Sequence, residues 1–201
     1  MTAKERFIEI YNQNITREGA DKLLDFLLNG SDFFTAPAST RYHGAHEGGL
    51  LAHSLNVYDC LVDILNRPRM KELYGIEYPE ESIAIAALLH DVGKPFCKIR
   101  DNNSYAHPQE GARIATEILQ RLKAPKKVIL HTARLIENHM YDFNCQTKES
   151  KLRRYLVANA DILPDLLLVK QADFSACMDD CSLAPTCARW QTLLKKMKLS
   201  I

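Results

Sequence analysis

Apolar side chains recur every three or four residues along almost the whole chain, which is the period of an amphipathic helix rather than of a strand. The pattern predicts helices over residues 3–13, 17–28, 50–65, 80–91, 108–122, 126–139, 148–159, 163–174 and 187–199. The segments 31–49 and 95–106 are polar or rich in Gly and Pro, so we expect them to be irregular. We therefore predict an all-α, single-domain helical bundle over residues 1–201.

The predicted helix 80–91 carries an unusual polar end. Its residues from Ile83 to Leu88 are apolar or small, so it should be buried, and it ends in His90 and Asp91 shortly before Gly93. A buried imidazole and carboxylate are costly unless they are paired or bind a metal ion. Taken alone, the pair is equally compatible with a helix end where His90 interacts with the helix dipole and Asp91 caps a loop.

Other predicted helices place similar groups at their ends or on their inner faces. His53 lies on the apolar stripe of helix 50–65, and Asp173 is the polar end of the stripe on helix 163–174. His107 directly precedes Pro108, so we expect it at the N-cap of helix 108–122. Each of these residues by itself is more typical of a satisfied core or cap position than of a ligand.

Helix 126–139 offers two histidines on one stripe, which consists of Val128, His131, Leu135 and His139. The two imidazoles lie about 12 Å apart along the helix axis, at 1.5 Å per residue. Only one of them can therefore reach a centre shared with the other helices, and His139 at the helix end is the candidate.

Together, these positions form a mixed set of nitrogen and oxygen ligands: His53, His90, Asp91, His107, His139 and Asp173. Such a set suits Mn, Fe, Co, Ni or Zn, with Mg as a further option. Six ligands exceed what one tetrahedral zinc ion takes. We therefore expect one or two divalent ions, and two ions that share a carboxylate would use all six side chains.

Composition narrows the partners and the compartment. The formal net charge of +1 gives no overall field for nucleic acid or an anionic membrane, and no apolar run is long enough for a membrane span. The N-terminus is charged and does not look like a secretory signal, so we expect a cytoplasmic protein with its six cysteines as thiols. The spacing of Cys177, Cys181 and Cys187 is not that of a structural zinc site.

Several motifs resemble those of the HD-domain metal-dependent phosphohydrolases. His53, the pair His90-Asp91 and Asp173 match the family pattern, and the segment LLHDVGK (88–94) resembles its central motif. The segments AHPQEGA (106–112) and ENH (137–139) are similar to the additional histidine sites of the two-metal subgroup, and LLLVKQAD (166–173) to its last helix. The resemblance covers about residues 42–175, with helical extensions on either side.

The resemblance implies an HD-type helical bundle that hydrolyses a phosphoester, with a nucleotide or a related small phosphoester as the expected substrate. It implies Asp91 as the carboxylate between two ions, whereas Lys94 is as compatible with a phosphate contact as with a solvated position. Asp161 competes with Asp173 for the last ligand role, and we prefer Asp173 for its helical placement. The chain also resembles the HD portion of tRNA nucleotidyltransferases, but their nucleotide-adding activity is not implied because the catalytic head has no counterpart here.

The loop before helix 50–65 supplies candidate substrate contacts. Arg41 and His43 lie among glycines and are candidates to bind phosphate, with an ordinary helix-leading turn as the alternative. A similar loop occurs in HD-type 3'-to-5' exoribonucleases, so single-stranded nucleic-acid ends are a second, less favoured substrate. Aromatic residues that could stack a base, or simply pack in the core, are Tyr105, Tyr141 and Phe143. A metal-containing binding or regulatory module that hydrolyses nothing is the alternative from another class.

Overall fold

The structure, a computed structural model, describes residues 1–41, 43–72, 75–101, 106–178 and 182–199. Its helices are α1 (Ala3–Asn14), α2 (Ala20–Asn29), α3 (Gly49–Leu65), α4 (Pro68–Glu72), α5 (Glu80–Leu89), α6 (Lys94–Asp101), α7 (His107–Arg121), α8 (Lys126–Asn138), α9 (Glu149–Ala158), α10 (Leu163–Met178) and α11 (Pro185–Lys196). The described ranges contain no strand, so the predicted all-α class is confirmed. No helix in these ranges combines the length and the apolar character that a bilayer crossing requires.

Helix α6 contradicts the prediction that residues 95–106 are irregular. Pro95 occupies the second position of α6, where its missing N–H group and fixed φ are tolerated. Phe96 packs against the core and stacks on Phe26 with ring centroids 6.3 Å apart, and Cys97 is fully buried. Tertiary packing therefore stabilises a helix whose polar composition hides its short apolar face. The short helix α4, which periodicity did not predict, begins at Pro68, and proline is favoured at the first position of a helix.

The central helix α5 is buried on two sides. One side contributes Ala84, Ile85, Leu88 and Leu89 to a large core that also contains residues of α1, α2, α3 and α7. The other side contributes Ala87 to a smaller cluster with α3 and α10. A third core, around the fully buried Trp190, joins α9, α10 and α11. Because α5 is surrounded in this way, the chain that follows its last turn is held in the interior of the bundle.

Two glycines bring the turn after α5 into direct contact with α7. A Cβ atom at Gly93 would lie 2.5 Å from both Gly111 N and His107 O, closer than any real contact allows. The opposite glycine, Gly111, is less crowded, since its Cβ would lie 3.1 Å from the side chain of Ile136. This close approach places Asp91 next to the first residue of α7.

We expect Gly93→Ala to lower the free energy of unfolding by about 2 to 3 kcal/mol, because the methyl group must push two backbone segments apart. Gly111→Ala is the matched control, since the better helix propensity of Ala, worth about 1 kcal/mol, offsets its milder crowding. Urea unfolding measures both variants. Equal losses in the two variants would contradict the close approach at Gly93.

Candidate metal centre

His53 lies on the inner face of α3 and is almost completely buried. Its Nε2 atom is 3.1 Å from Asp173 Oδ1 and 3.3 Å from His90 Nε2. Its Nδ1 atom is buried without a hydrogen-bond partner among the described residues. The apolar stripe of α3 thus delivers one polar side chain into the interior, where it meets groups from α10 and from the end of α5.

His90 and His139 follow their helices in the same way. Each caps the C-terminus of its helix, α5 or α8, and each places Nδ1 next to the carbonyl oxygen three residues earlier: 2.8 Å to Ala87 O and 2.6 Å to Ile136 O. A carbonyl oxygen can only accept, so Nδ1 donates, and Nε2 is the ring nitrogen that faces the cluster. A backbone carbonyl behind the imidazole is the usual way in which a metal-binding histidine is oriented.

Asp91 lies between two groups of imidazoles, and each carboxylate oxygen faces one group. Oδ2 lies 3.4 Å from His53 Nε2 and 3.2 Å from His90 Nε2. Oδ1 lies 3.2 Å from His107 Nε2 and 3.6 Å from His139 Nε2, which are themselves 3.2 Å apart. Oδ1 is nevertheless buried without a hydrogen bond of ordinary geometry in the described part of the chain.

Both carboxylates of the cluster are held in the ionised form. Burial would raise the pKa of Asp91, but the charges of Lys94 and His90 hold it well below its usual range. Burial would likewise raise the pKa of Asp173, yet the hydrogen bond and the charge of His53 keep it far below its usual value. In turn, the two carboxylates raise the pKa of His53 despite the opposing effect of its burial. Two ionised carboxylates therefore give the cluster a negative charge that favours binding of a cation.

The spacing of these atoms fits metal ions. Adjacent nitrogen and oxygen ligands about 2.0–2.2 Å from one tetrahedral or octahedral ion lie roughly 2.8–3.6 Å from one another. His53, His90 and Asp173 form one group whose ligand atoms all lie within 4.8 Å of one another, and Asp91, His107 and His139 form a second. Two imidazole nitrogens that face each other at 3.2–3.3 Å, beside an ionised carboxylate, suit a cation between them.

Two residues that the sequence offered as alternatives lie elsewhere. Asp161 is mostly exposed and pairs with Arg134 at 2.6 Å, whereas Asp173 is in the cluster. His131 lies outside the cluster and contacts Asp165, with 2.6 Å between Nε2 and Oδ2.

The N-cap prediction for His107 is wrong by one residue. His107 is the first residue of α7, and Ala106 occupies the N-cap position.

Lys94 is buried against Asp91, to which its ammonium group donates a hydrogen bond. The solvated position considered for Lys94 is therefore wrong. Burial alone would lower the pKa of Lys94, but Asp91 and Asp173 raise it above the usual value, so the side chain is cationic. The Lys94 ammonium group thus lies at the edge of the two groups of candidate metal ligands.

The loop residues separate into one that reaches the cluster and one that does not. The ring of His43 lies 5.0 Å from that of His53, and burial together with His53 and Lys94 lowers its pKa. Arg41 is exposed, without a contact to the cluster in the described structure. Cys177, expected only as an ordinary thiol, lies 3.2 Å from His43 Nε2 and 3.5 Å from Asp173 Oδ1, and burial raises its pKa. Its position four residues after Asp173 on α10 is the signal that could have found it.

The remaining aromatic and cysteine candidates lie away from the cluster or outside the described residues. Tyr141 stacks on Tyr155 with ring centroids 3.7 Å apart, and Phe143 is half exposed. Tyr42, Tyr105 and Cys181 lie outside the described residues. The described cysteines form no disulfide, as expected for thiols.

Sequence reasoning missed Lys170, which supports His139 from behind. Its ammonium group donates to His139 O at 2.6 Å and to Tyr141 O at 2.9 Å, and it lies over the ring of Trp190. Burial lowers the pKa of Lys170 to about 8. The signal in the sequence that could have pointed to Lys170 is its position three residues before Asp173 on an apolar helix.

Comparison with known proteins is consistent with this geometry. Residues 50–173 match the family model described as HD domain, a range that begins at α3 and ends at the candidate ligand Asp173.

Three relatives span different shares of the chain. Over 149 residues it is 31% identical to the A-adding tRNA nucleotidyltransferase of Deinococcus radiodurans, covering 71% of this chain and 32% of that protein. It is 28% identical over 173 residues to the dihydroneopterin 2',3'-cyclic phosphate phosphodiesterase of Methanocaldococcus jannaschii, covering 78% of this chain and 67% of that protein. It is 37% identical over 94 residues to the CC-adding tRNA nucleotidyltransferase of Thermus thermophilus. The chain spans about a third of the length of the Deinococcus protein and about a fifth of the Thermus protein.

We expect Asp173→Asn to remove one bound ion per chain, because the amide cannot supply the anionic ligand beside His53. The affinity of the variant for Mn²⁺ should fall at least about 100-fold. Loss of a residue that only supports a ligand already costs up to about 100-fold, and Asp173 is a candidate direct ligand. Asp161→Asn, which changes the exposed alternative, should bind as the unchanged protein does. Calorimetric titration of metal-free protein measures both, and loss of the ion from the Asp161 variant alone would reverse the assignment.

Lys170 should also make stability depend on pH. Its pKa of about 8 in the folded protein is below the ordinary value of 10.5, so the unfolded state binds more protons between these pH values and stability rises with pH there. Between pH 7.5 and 9.5, the free energy of unfolding of the unchanged protein should rise by about 1 to 2 kcal/mol relative to Lys170→Met. Urea unfolding at both pH values measures this difference. Parallel pH profiles would mean that the protein interior does not lower the pKa of Lys170.

Proposed function

The chain belongs to the HD domain family, and from this premise we propose that it is a metal-dependent phosphohydrolase that cleaves a nucleotide or a related small phosphoester. The observation that carries this proposal is the position of Asp91, whose two oxygens face two separate groups of buried imidazoles. We also take residues 1–201 as one HD-type domain with helical extensions around the core 42–175, in a cytoplasmic protein.

In this proposal, His53, His90, Asp91 and Asp173 would hold one ion. His107, His139 and Asp91 would hold a second ion. The ions are transition metals such as Mn, Fe, Co, Ni or Zn, because imidazole and carboxylate ligands suit them. When bound, they lower the pKa of a coordinated water to about 7 and neutralise phosphoryl oxygens.

The protein's own residues then orient the reaction. Lys94 fixes one oxygen of Asp91 and keeps its positive charge, so it is placed to stabilise negative charge that develops on a phosphoryl group beside the cluster. His43 lies at the half-buried edge beside His53, where its lowered pKa keeps the ring neutral and able to donate or accept a hydrogen bond. We therefore assign substrate contacts to Lys94 and His43, and leave Arg41 in the more distant loop.

A small phosphoester is favoured over a nucleic-acid end because of how the relatives align. The relative that acts on a cyclic phosphate aligns over most of this chain and two thirds of its own length. The tRNA nucleotidyltransferases align over a third or less of theirs, so their action on tRNA does not transfer with the matched segment. The near-neutral charge of the chain also provides no broad basic surface for a polynucleotide.

We expect Asp91→Asn to reduce hydrolysis of bis(p-nitrophenyl) phosphate and of 2',3'-cyclic nucleotides by about 1,000-fold or more with Mn²⁺ present, since one carboxylate serves both ions. Removing an oxyanion-stabilising donor from an enzyme already costs about 100- to 1,000-fold. Asp161→Asn is the control and should retain full activity. Circular dichroism verifies that both variants fold.

Three outcomes would contradict this function. If the Asp91→Asn protein kept its metal content and its rate of hydrolysis, the proposal that Asp91 is part of a metal centre would be wrong. Full metal occupancy without activity on a broad phosphoester panel would favour a non-catalytic module. Shortening of an end-labelled single-stranded RNA at a much higher kcat/KM than that of any small ester would favour an exonuclease.

A further inference from the structure

A cavity of about 480 Å³ is lined by residues other than those assigned to substrate contacts. Its walls come from α3, α5, α8 and α10, and its volume is in the range of small-molecule sites, about 300–1,000 Å³. Of the six candidate metal ligands, His90 alone lines it, and Lys94, His43 and Arg41 do not. The cavity is therefore distinct from the place where a phosphoryl group would react.

The directions of the helices explain this separation. The cavity extends along α5 from Glu81 near its start to His90 just beyond its end, about 13 Å at 1.5 Å per residue. On α8 and α10, the lining also includes residues near the helix starts, Lys127 and Asp165, whereas the candidate ligands His139 and Asp173 lie further along each helix. The metal centre and the mouth of the cavity thus occupy opposite ends of the same helices.

The walls of the cavity are mostly apolar, and α8 contributes Val128 and Leu135 to them. Val128, His131 and Leu135, which share one stripe of this helix, line the cavity, and Leu135 also packs against the Trp190 core. Only Ile136 of α8 is fully buried, and Val128 is 38% exposed. Leu61 of α3 and Leu168 of α10 line the cavity as well. Such walls favour an apolar or aromatic body as occupant.

The charged groups at the mouth are paired, with one exception among the described residues. Arg17 Nε contacts Glu81 Oε1 at 2.6 Å. Asp165 accepts hydrogen bonds from the hydroxyl group of Tyr78 and from His131 Nε2.

The exception is Lys127, which lines the cavity and has no ion-pair partner in the described part of the chain. Because the acidic side chains at the mouth already have donors, Lys127 is the group that an incoming ligand can neutralise. This charge favours an anionic group on the occupant.

We propose that this cavity binds a small amphipathic anion, with its apolar ring body between α5 and α8 and its acidic group against Lys127. The binding is separate from hydrolysis and needs no metal ion. A ligand of this kind covers the apolar face of α8 and supplies the partner that Lys127 lacks.

Two fluorescent probes with similar aromatic bodies test the proposal: 1-anilinonaphthalene-8-sulfonate, which is anionic, and N-phenyl-1-naphthylamine, which lacks the sulfonate. Both should bind one per chain with blue-shifted emission, the sulfonate more tightly. Lys127→Ala should weaken binding of the sulfonate probe about three- to fivefold, the upper part of the range of an exposed ion pair, and leave binding of the neutral probe unchanged. Lys126→Ala is the matched control, because this neighbouring lysine does not line the cavity.

Filling the cavity supplies the second variant. Ala86 of α5 lines the wall, and Ala86→Phe should abolish binding of both probes without loss of helical content. Unchanged binding to a folded Ala86→Phe protein, equal effects of Lys126→Ala and Lys127→Ala, or a dimer in sedimentation that excludes the probes would each overturn the proposal. Lys126 and Lys127 are both exposed, so the comparison of Lys126→Ala with Lys127→Ala tests the proposal even if the Ala86→Phe protein does not fold. None of these readouts involves phosphoester hydrolysis, so the outcome is independent of the proposed function.

Discussion

The buried, ionised carboxylate of Asp91 is the group on which the arrangement of the surrounding helix ends depends. An ionised carboxylate in the interior carries a desolvation cost that only nearby positive charge and hydrogen bonds can offset. Here Lys94 supplies a fixed cation on one oxygen, and four imidazoles surround both oxygens. The other oxygen has no hydrogen bond of ordinary geometry in the described part of the chain, so it is able to accept a further cation. We therefore regard Asp91 as the group around which the ends of several helices are organised.

The helix ends achieve this arrangement with backbone groups as much as with side chains. The last turns of α5 and α8 orient His90 and His139 through carbonyl oxygens, so the rings are fixed without using other ligands. Lys170 secures the chain just after α8, and the Gly93–Gly111 approach brings α7 to the same point. These contacts explain how groups from distant parts of the sequence can meet within hydrogen-bond distances. They also imply that small backbone shifts at this junction affect the whole cluster.

Periodicity predicted the helices well where their apolar faces are wide, as in α3, α5 and α7. It failed for α6, whose short apolar face consists of little more than Phe96 and Cys97. It also placed Val128, His131 and Leu135 on one stripe of α8, but a pattern shows which residues share a face and not what lies opposite that face. In this fold the stripe lines a cavity, and Leu135 also packs against the Trp190 core, because of how α3, α5 and α10 are arranged.

The sequence by itself determined the fold class, the family motifs and the residue types that converge at one site, because helical period and local spacing are properties of neighbouring residues. It left Asp161 and Asp173 as competitors and gave no role to Lys170 or Cys177. Tertiary structure decided these cases, since which carboxylate faces His53 depends on how α10 packs against α3 rather than on either segment alone. The pairing of each Asp91 oxygen with its own imidazoles follows from the same packing, because long-range contacts between helix ends carry no local signature in the chain.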